Sequence, residues 1–232
     1  TIMQAYKTGR PFKQIQAFEQ CKKRLNHDGN LQPIKELFKG NDLVRLFSYL
    51  EAQNSEPYSY LDYLKACNYL GLDMSLPKNR FPHNFRRWHD IRIDEYHSAK
   101  ALADERERAE LYQQFAAVAE KYMALQECKK GGYAVFIARS PADLLREGEV
   151  LHHCVGRMGY DQKMVREETL IFFIRQPESP DTPFVTVEYS LKSKKVLQCY
   201  GDESKKPDDT VLTYVNKVWL PYANRKIKKL AA

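Results

Sequence analysis

The spacing of apolar residues changes once along this chain of 232 residues, at the segment Lys129-Lys-Gly-Gly132. Before it, apolar residues recur at helical spacing from Lys13 to Leu70, and the stretch from His83 to about Gln126 contains almost no helix breaker. Directly after it, the run Tyr133–Ala138 is rich in β-branched and aromatic residues, which favour strands. We therefore predict an α+β protein with a helical N-terminal region, residues 1–127, and an α+β domain, residues 128–232.

The second half of the chain contains three further runs that predict strands, at residues 170–175, 184–189 and 196–200, with a lysine-rich hairpin turn between the last two. Two short helices are expected ahead of them, one capped by Ser140 with Gly148 just past its end, and one over residues 160–168. A closing helix from Pro207 to about Leu230 should be kinked near Pro221. These elements predict a small antiparallel sheet of about four strands with flanking helices.

Charge, apolar runs and cysteine spacing limit the partners, the compartment and the ligands that this protein could have. Lys and Arg number 37 against 30 Asp and Glu, and the resulting formal charge of +7 favours contact with phosphates or acidic partners. Because no run of about 18 apolar residues and no signal peptide is present, we expect no membrane contact. The cysteines are scattered without a CxxC pair, which favours a reducing cytoplasm and predicts no metal site and no cofactor. They are Cys21, Cys67, Cys128, Cys154 and Cys199.

Alternation along the predicted strands brings polar side chains to one face of the sheet. Thr186 and Glu188 share a face, Gln198 lies between apolar neighbours, and Arg175 ends an otherwise apolar run. In an antiparallel meander these four side chains would converge, and a histidine of the preceding segment could join them to form a polar pocket. The alternative is the solvent-facing side of a half-buried sheet, which alternating polar residues usually indicate.

The segment Leu151-His-His-Cys-Val-Gly156 contains the side chains best suited to chemistry. In an extended segment His152 and Cys154 point to one side and His153 to the other, so all three serve one centre only if the backbone turns sharply, as Gly156 could permit. We consider His153 as an acid/base, supported by Arg175 and Glu188, and Cys154 as a nucleophile. A purely structural role for the segment is the alternative.

Two basic segments are candidates for phosphate contacts. Arg86 and Arg87 adjoin Trp88, an arrangement in which aromatic and cationic side chains are interleaved. The end of the closing helix carries Arg225, Lys226, Lys228 and Lys229. For both segments the alternative is an ordinary solvated helix surface.

The order of these residues resembles the pattern of the PcfJ-like family, over about Lys129 to Leu230. The pattern consists of Gly148, Leu151–Gly156, Tyr160, Ile174-Arg175, Pro183, Thr186-Val-Glu188, Gln198 and Gly201. Upstream, Leu76–Asn79 followed by His89-Asp90 is also similar to such proteins. By analogy with the family, the positions carried over are His153, Cys154, Gly156, Tyr160, Arg175, Thr186, Glu188 and Gln198.

The resemblance implies an origin in conjugative elements or phages and specifies no reaction, so three functions are considered. The first is an accessory protein of such an element that contacts DNA or RNA through basic helical surfaces, with other mobile-element proteins as further candidate partners. The second is an enzyme acting on a nucleotide or phosphodiester, with His153, Arg175, Glu188 and Gln198 in one pocket and Cys154, Tyr160 and Thr186 beside them. The third is a protein-interaction module in which Leu151–Gly156 is structural.

Overall fold

The computed structural model describes residues 31–126 and 132–230, together with residues 16, 19–21 and 23. The predicted helical pattern between residues 13 and 30 lies mostly outside this range, as does most of the segment Lys129–Gly132. Contacts divide the chain into two compact units, Thr1–Asp104 and Glu105–Ala232. The second unit thus begins within a long helix, ahead of the boundary predicted at residues 127 and 128.

The described part of the first unit is helical. Its helices are α1 (Gln32–Leu37), α2 (Asn41–Ala52), α3 (Pro57–Tyr69), the single turn α4 (Pro77–Arg80) and the first part of α5 (Phe85–Lys121). Pro77 occupies the first helical position of α4, where its missing N–H costs no hydrogen bond.

Three tyrosine hydroxyls of this unit donate hydrogen bonds to the backbone around α4. Tyr63 donates to the carbonyl of Asn79 at 2.8 Å, and Tyr60 donates to the carbonyl of Arg80 at 2.7 Å. The third, from Tyr49, reaches the carbonyl of Pro82 at 2.7 Å. Asn79 and Arg80 end the single turn α4 and Pro82 follows it, so the tyrosines attach this turn and the chain after it to helices α2 and α3.

The second unit contains a four-stranded antiparallel meander in the order β1-β2-β3-β4, which confirms the predicted α+β class and sheet. The strands are β1 (Ala134–Ile137), β2 (Thr169–Arg175), β3 (Val185–Ser190) and β4 (Lys195–Tyr200). Every residue of β2 and β3 is buried, whereas β4 at the edge is mostly exposed. The central strands are therefore covered on both faces.

Four helices of the described residues flank this sheet: α6 (Pro141–Val150), α7 (Tyr160–Val165), α8 (Asp209–Thr213) and α9 (Leu220–Leu230). Ser140 begins α6 with the predicted cap, because its side chain accepts from the backbone N–H of Asp143 at 3.2 Å. Between α8 and α9 the chain is π-helical over Tyr214–Trp219. This irregular stretch stands directly before Pro221, where a kink was expected because proline cannot donate to the preceding turn.

One face of the sheet forms the main core of the second unit. Trp219 is fully buried, packs at 4.8 Å between ring centres against Phe172, and donates from Nε1 to the carbonyl of Leu125 at 3.0 Å. The opposite face carries Thr186 and Glu188 and lies beneath the segment Leu151–Gly156. Among the helices of the described residues, none has both the length and the apolar composition that crossing a bilayer requires.

Candidate functional site

Two glycines allow the segment Leu151–Gly156 to fold back closely against helix α6. The backbone N–H of His153 donates to the carbonyl of Gly148 at 3.0 Å, and a Cβ at Gly148 would lie 2.7 Å from the carbonyl oxygen of His153. A Cβ at Gly156 would lie 2.7 Å from the Cα of Leu145. Both contacts are with backbone atoms, which cannot move aside cheaply. Gly148 therefore lies inside α6, where it permits close approach, and not past its end as predicted.

The backbone of this segment turns sharply at His152 rather than at Gly156. His152 has a φ of +50°, in the left-handed region that residues other than glycine seldom adopt, and Cys154–Gly156 forms a 3-10 turn. The segment is therefore not the extended one on which the predicted alternation was based. His152 and Cys154 are exposed, whereas His153 is half-buried against the sheet. Nδ1 of His152 lies 2.8 Å from a carboxylate oxygen of Asp202.

A small pocket of about 70 Å³, lined by polar and apolar side chains, lies between this segment and the sheet. Six of the seven side chains predicted for the site line it: His153, Cys154, Tyr160, Thr186, Glu188 and Gln198, with Val155, Ile171, Tyr200 and Ser204 completing the wall. Glu188 and Gln198 are cross-strand partners on β3 and β4, and the Tyr160 hydroxyl donates to Oε1 of Gln198 at 3.3 Å. The predicted alternation thus places these polar groups together.

Arg175 lies outside this pocket and borders a separate cavity with Arg139 and Arg146. Its guanidinium makes a bidentate ion pair with Glu147, in which Nη1 lies 2.9 Å from Oε1 and Nη2 binds Oε2. The side chains of Arg175 and Glu147 are 7% and 2% exposed. Arg175 shares the predicted face of β2, but its position at the strand end directs it to Glu147 instead of Glu188 or Gln198.

Hydrogen bonds connect this ion pair to His153 through Thr186. The carboxylate of Glu147 can only accept, so the Thr186 hydroxyl donates to its Oε1 at 3.1 Å. Having used its one proton, Thr186 must accept from Nε2 of His153, which lies 3.0 Å from Oγ1. The neutral His153 ring is therefore the Nε2–H tautomer with Nδ1 unprotonated. We name Arg175, Glu147, Thr186 and His153 the Glu147 network.

Glu147 is the central residue that the sequence prediction missed. Its position was detectable, because Leu144, Glu147 and Leu151 lie at helical spacing on one face of α6 and all three are buried. An acidic residue in the apolar stripe of a short helix indicates a buried partner of opposite charge. The sequence supplied such a partner in Arg175 at the end of a buried strand.

Burial shifts the pKa values of two groups that line the pocket, His153 and Glu188, in opposite directions. It lowers the pKa of His153, so the neutral imidazole is favoured at neutral pH. It raises the pKa of Glu188, and no basic nitrogen of the described residues lies within 4.0 Å of that carboxyl group. In the described ranges, no group of three or more His, Cys, Asp or Glu side chains is arranged to hold a metal ion.

The basic residues predicted to contact phosphate lie on the surfaces of both units. In the first unit Arg86, Arg87 and Trp88 are exposed at the start of α5, and the Arg92 guanidinium lies 4.8 Å from the centre of a Trp88 ring. In the second unit Arg225, Lys228 and Lys229 are exposed on α9, whereas Lys226 is half-buried with its amino group 5.5 Å from the Tyr222 ring centre. Their contact with nucleic acid stays a prediction.

Replacing Arg175 by Met should lower the free energy of unfolding of the second unit by about 3–5 kcal/mol, because Glu147 would keep a buried charge without a partner. Replacing both residues, as Glu147→Leu with Arg175→Met, should recover much of this loss. Urea denaturation followed by circular dichroism measures both. The control is Lys121→Met, which breaks the exposed ion pair with Glu167 and should cost much less. A cost for Arg175→Met no larger than for this control would contradict the assigned pairing.

Comparison with known proteins places the greater part of the chain in one family. A family model described as "PcfJ-like protein" matches residues 59–212, from helix α3 to helix α8, and so includes the pocket and the Glu147 network. An uncharacterized protein of Listeria innocua is 26% identical over 197 residues, which cover 85% of this chain and 41% of that protein. The chain thus spans less than half the length of this relative, and no solved structure matches it. The match confirms the resemblance inferred from the motif, and the chain belongs to the PcfJ-like protein family.

Proposed function

We propose that this protein is an accessory protein of a conjugative element or phage and that it contacts nucleic acid through a basic helical surface of its second unit. Helix α9 carries Arg225, Lys226, Lys228 and Lys229 and has no acidic residue. Its buried residues Ala223 and Ile227 hold the opposite side of the helix against the core. The resemblance to the PcfJ-like family implied an origin in a conjugative element or phage, and membership of that family supports this part of the proposal.

The observation that carries this proposal is the contact of α9 with the lysine-rich turn between β3 and β4. The Asn224 amide donates to the backbone carbonyl of Lys194 at 3.1 Å and accepts from the Tyr189 hydroxyl at 2.7 Å. Lys228 lies one helical turn beyond Asn224 and therefore on the same face of α9. The exposed residues Lys192, Lys194, Lys195, Arg225, Lys228 and Lys229 together define the basic surface.

The charges of the basic surface are available to a partner. In the described part of the chain, none of its six side chains has a carboxylate oxygen within 4.0 Å, whereas many basic residues elsewhere are paired. A phosphate backbone is a regular row of negative charges, and its neutralisation by Lys and Arg releases counterions. A cluster of unpaired cations on a fixed helix and turn is suited to that contact.

Replacing Arg225, Lys228 and Lys229 by Gln should weaken binding to DNA or RNA and make it less dependent on salt. Each lost phosphate contact should reduce the slope of log K against log salt by roughly 0.9 for duplex DNA. Fluorescence anisotropy of labelled duplex and single-stranded oligonucleotides across a salt series measures affinity and slope.

The matched control replaces Lys100, Arg106 and Arg108 by Gln, which removes the same charge from exposed positions of α5 where acidic residues are interspersed. This control should leave the salt dependence nearly unchanged. Equal losses from both triple variants, or no binding of the unaltered protein at low salt, would refute a specific basic surface.

A second candidate function is an enzyme acting on a nucleotide or phosphodiester, with His153 as the acid/base. The Glu147 network favours it, because a buried ion pair and a threonine together hold the imidazole in one tautomer at a pocket wall. In this function Arg175 is a positioning residue that anchors Glu147, since its guanidinium already binds that carboxylate. Glu188 would bind a substrate hydroxyl or amine on the far side of the pocket.

If His153 is the base, activity should be present at neutral pH and lost as the pH falls through its lowered pKa, because only the neutral ring can accept a proton. His153→Gln should abolish hydrolysis of bis(4-nitrophenyl) phosphate. Thr186→Val should reduce the rate, and Thr186→Ser, which keeps the hydroxyl, should retain it. A pH series for the four proteins measures these effects. Hydrolysis that is absent, or unaffected by His153→Gln, would exclude this function.

A further inference from the structure

The lining of the pocket selects against anions, which counts against the second candidate function and favours a ligand without charge. No Lys or Arg side chain lines it, and the Glu188 carboxyl group, with its residue only 6% exposed, is part of the wall. The nearby ammonium group of Lys163 lies 4.3 Å from the Tyr160 ring centre, outside the set of lining residues. A phosphate in this pocket would meet the Glu188 carboxyl group with no cation in the lining, since Lys163 and the Thr169 hydroxyl favour the charged carboxylate less than burial opposes it. A ligand that donates hydrogen bonds would instead stabilise this buried carboxyl group.

Glu188 and Gln198 present an acceptor beside a donor. Their cross-strand pairing on β3 and β4 places the two side chains next to each other on one face of the sheet. Because Oε1 of Gln198 accepts from the Tyr160 hydroxyl, the amide nitrogen of Gln198 is the group left to donate to a ligand. The Tyr160 and Tyr200 rings are the aromatic components of the wall. This arrangement is complementary to the edge of a planar heterocycle that carries a donor next to an acceptor.

We propose that this pocket binds the amino edge of a nucleobase, cytosine or adenine, with the exocyclic amine donating to Glu188 and the adjacent ring nitrogen accepting from the amide of Gln198. The pocket is small, at about 70 Å³, so we assign to it only the edge of a base. The pocket and the basic surface share no residue, so this inference goes beyond contact with the phosphate backbone. A free nucleoside and an unpaired base of a single strand present the same edge.

Uridine should bind at least about tenfold more weakly than cytidine, because its N3–H is flanked by two carbonyl oxygens and one of them would face Glu188. N4,N4-dimethylcytidine, which has no amine proton to donate, should be rejected to a similar degree. Isothermal titration and NMR shift mapping with adenosine, cytidine, uridine and the dimethyl analogue measure these affinities. Inorganic phosphate is titrated separately and should leave the resonances of the pocket unchanged.

Gln198→Ala should weaken cytidine and adenosine binding at least about tenfold, and the exposed position of Gln198 on an edge strand makes this variant compatible with folding. Glu188→Gln, which has the same shape, should weaken it too. The control is Leu197→Ala, which alters a side chain of the same strand that is 53% exposed and does not line the pocket, so this variant should bind normally. Equal affinity for uridine, an unchanged affinity in Gln198→Ala, or no binding of any nucleoside at millimolar concentration would overturn the proposal.

Single-stranded oligocytidine and oligouridine distinguish the two sources of the base. A preference for oligocytidine that disappears in Gln198→Ala assigns the ligand to a strand, whereas binding of nucleosides without such a preference assigns it to a free nucleoside or nucleotide. The variant with Arg225, Lys228 and Lys229 replaced by Gln should bind nucleosides normally. If nucleic acid does not bind the basic surface, the triple variant shows it. If nucleobases do not bind the pocket, the nucleoside titrations show it independently.

Discussion

The buried ion pair between Arg175 and Glu147 connects the elements from which the pocket is built. It joins the end of β2 to helix α6, and through Thr186 on β3 it reaches His153. Each member of the Glu147 network makes a hydrogen bond to the next, so removal of one member leaves a buried donor or acceptor without a partner. Buried ion pairs seldom add net stability compared with apolar packing, and their best-attested use is to specify one arrangement. Here the arrangement specified is the position and tautomer of one histidine.

Backbone geometry makes the same arrangement possible. Glycine at positions 148 and 156 lets the Leu151–Gly156 segment approach α6 more closely than any side chain would allow. The left-handed conformation of His152 then reverses the chain so that His153 faces the sheet. Such conformations in residues other than glycine cost of order 1–3 kcal/mol and persist only where the surrounding structure enforces them. The segment is thus held by a close backbone contact on one side and by the Glu147 network on the other.

Local pattern predicted much of this structure, and its limits have a physical explanation. Strand composition and alternation predicted the sheet and placed Thr186, Glu188 and Gln198 on one face, because these properties depend only on neighbouring residues. The ion pair depends on how α6 docks over the sheet, so Arg175 could be assigned to a face but not to its partner Glu147. Gly156 was identified only as a residue that could permit a sharp turn, because glycine turns most readily, whereas the structure turns the chain at His152. The docking of α6 and the Leu151–Gly156 segment on the sheet thus determines the ion pair and the turn, which local sequence pattern did not predict.

The second unit carries two separate sets of polar groups. One is the buried Glu188 carboxyl group in the pocket, and the other is the cluster of unpaired cations on the basic surface. The central claim is that the Glu147 network holds neutral His153 with its proton on Nε2. Two-dimensional ¹H–¹⁵N NMR of the imidazole nitrogens tests this claim most directly. In the unaltered protein Nε2 of His153 should appear protonated and Nδ1 unprotonated at neutral pH, and Thr186→Val should abolish this preference. A proton on Nδ1, or a tautomer unaffected by Thr186→Val, would contradict it.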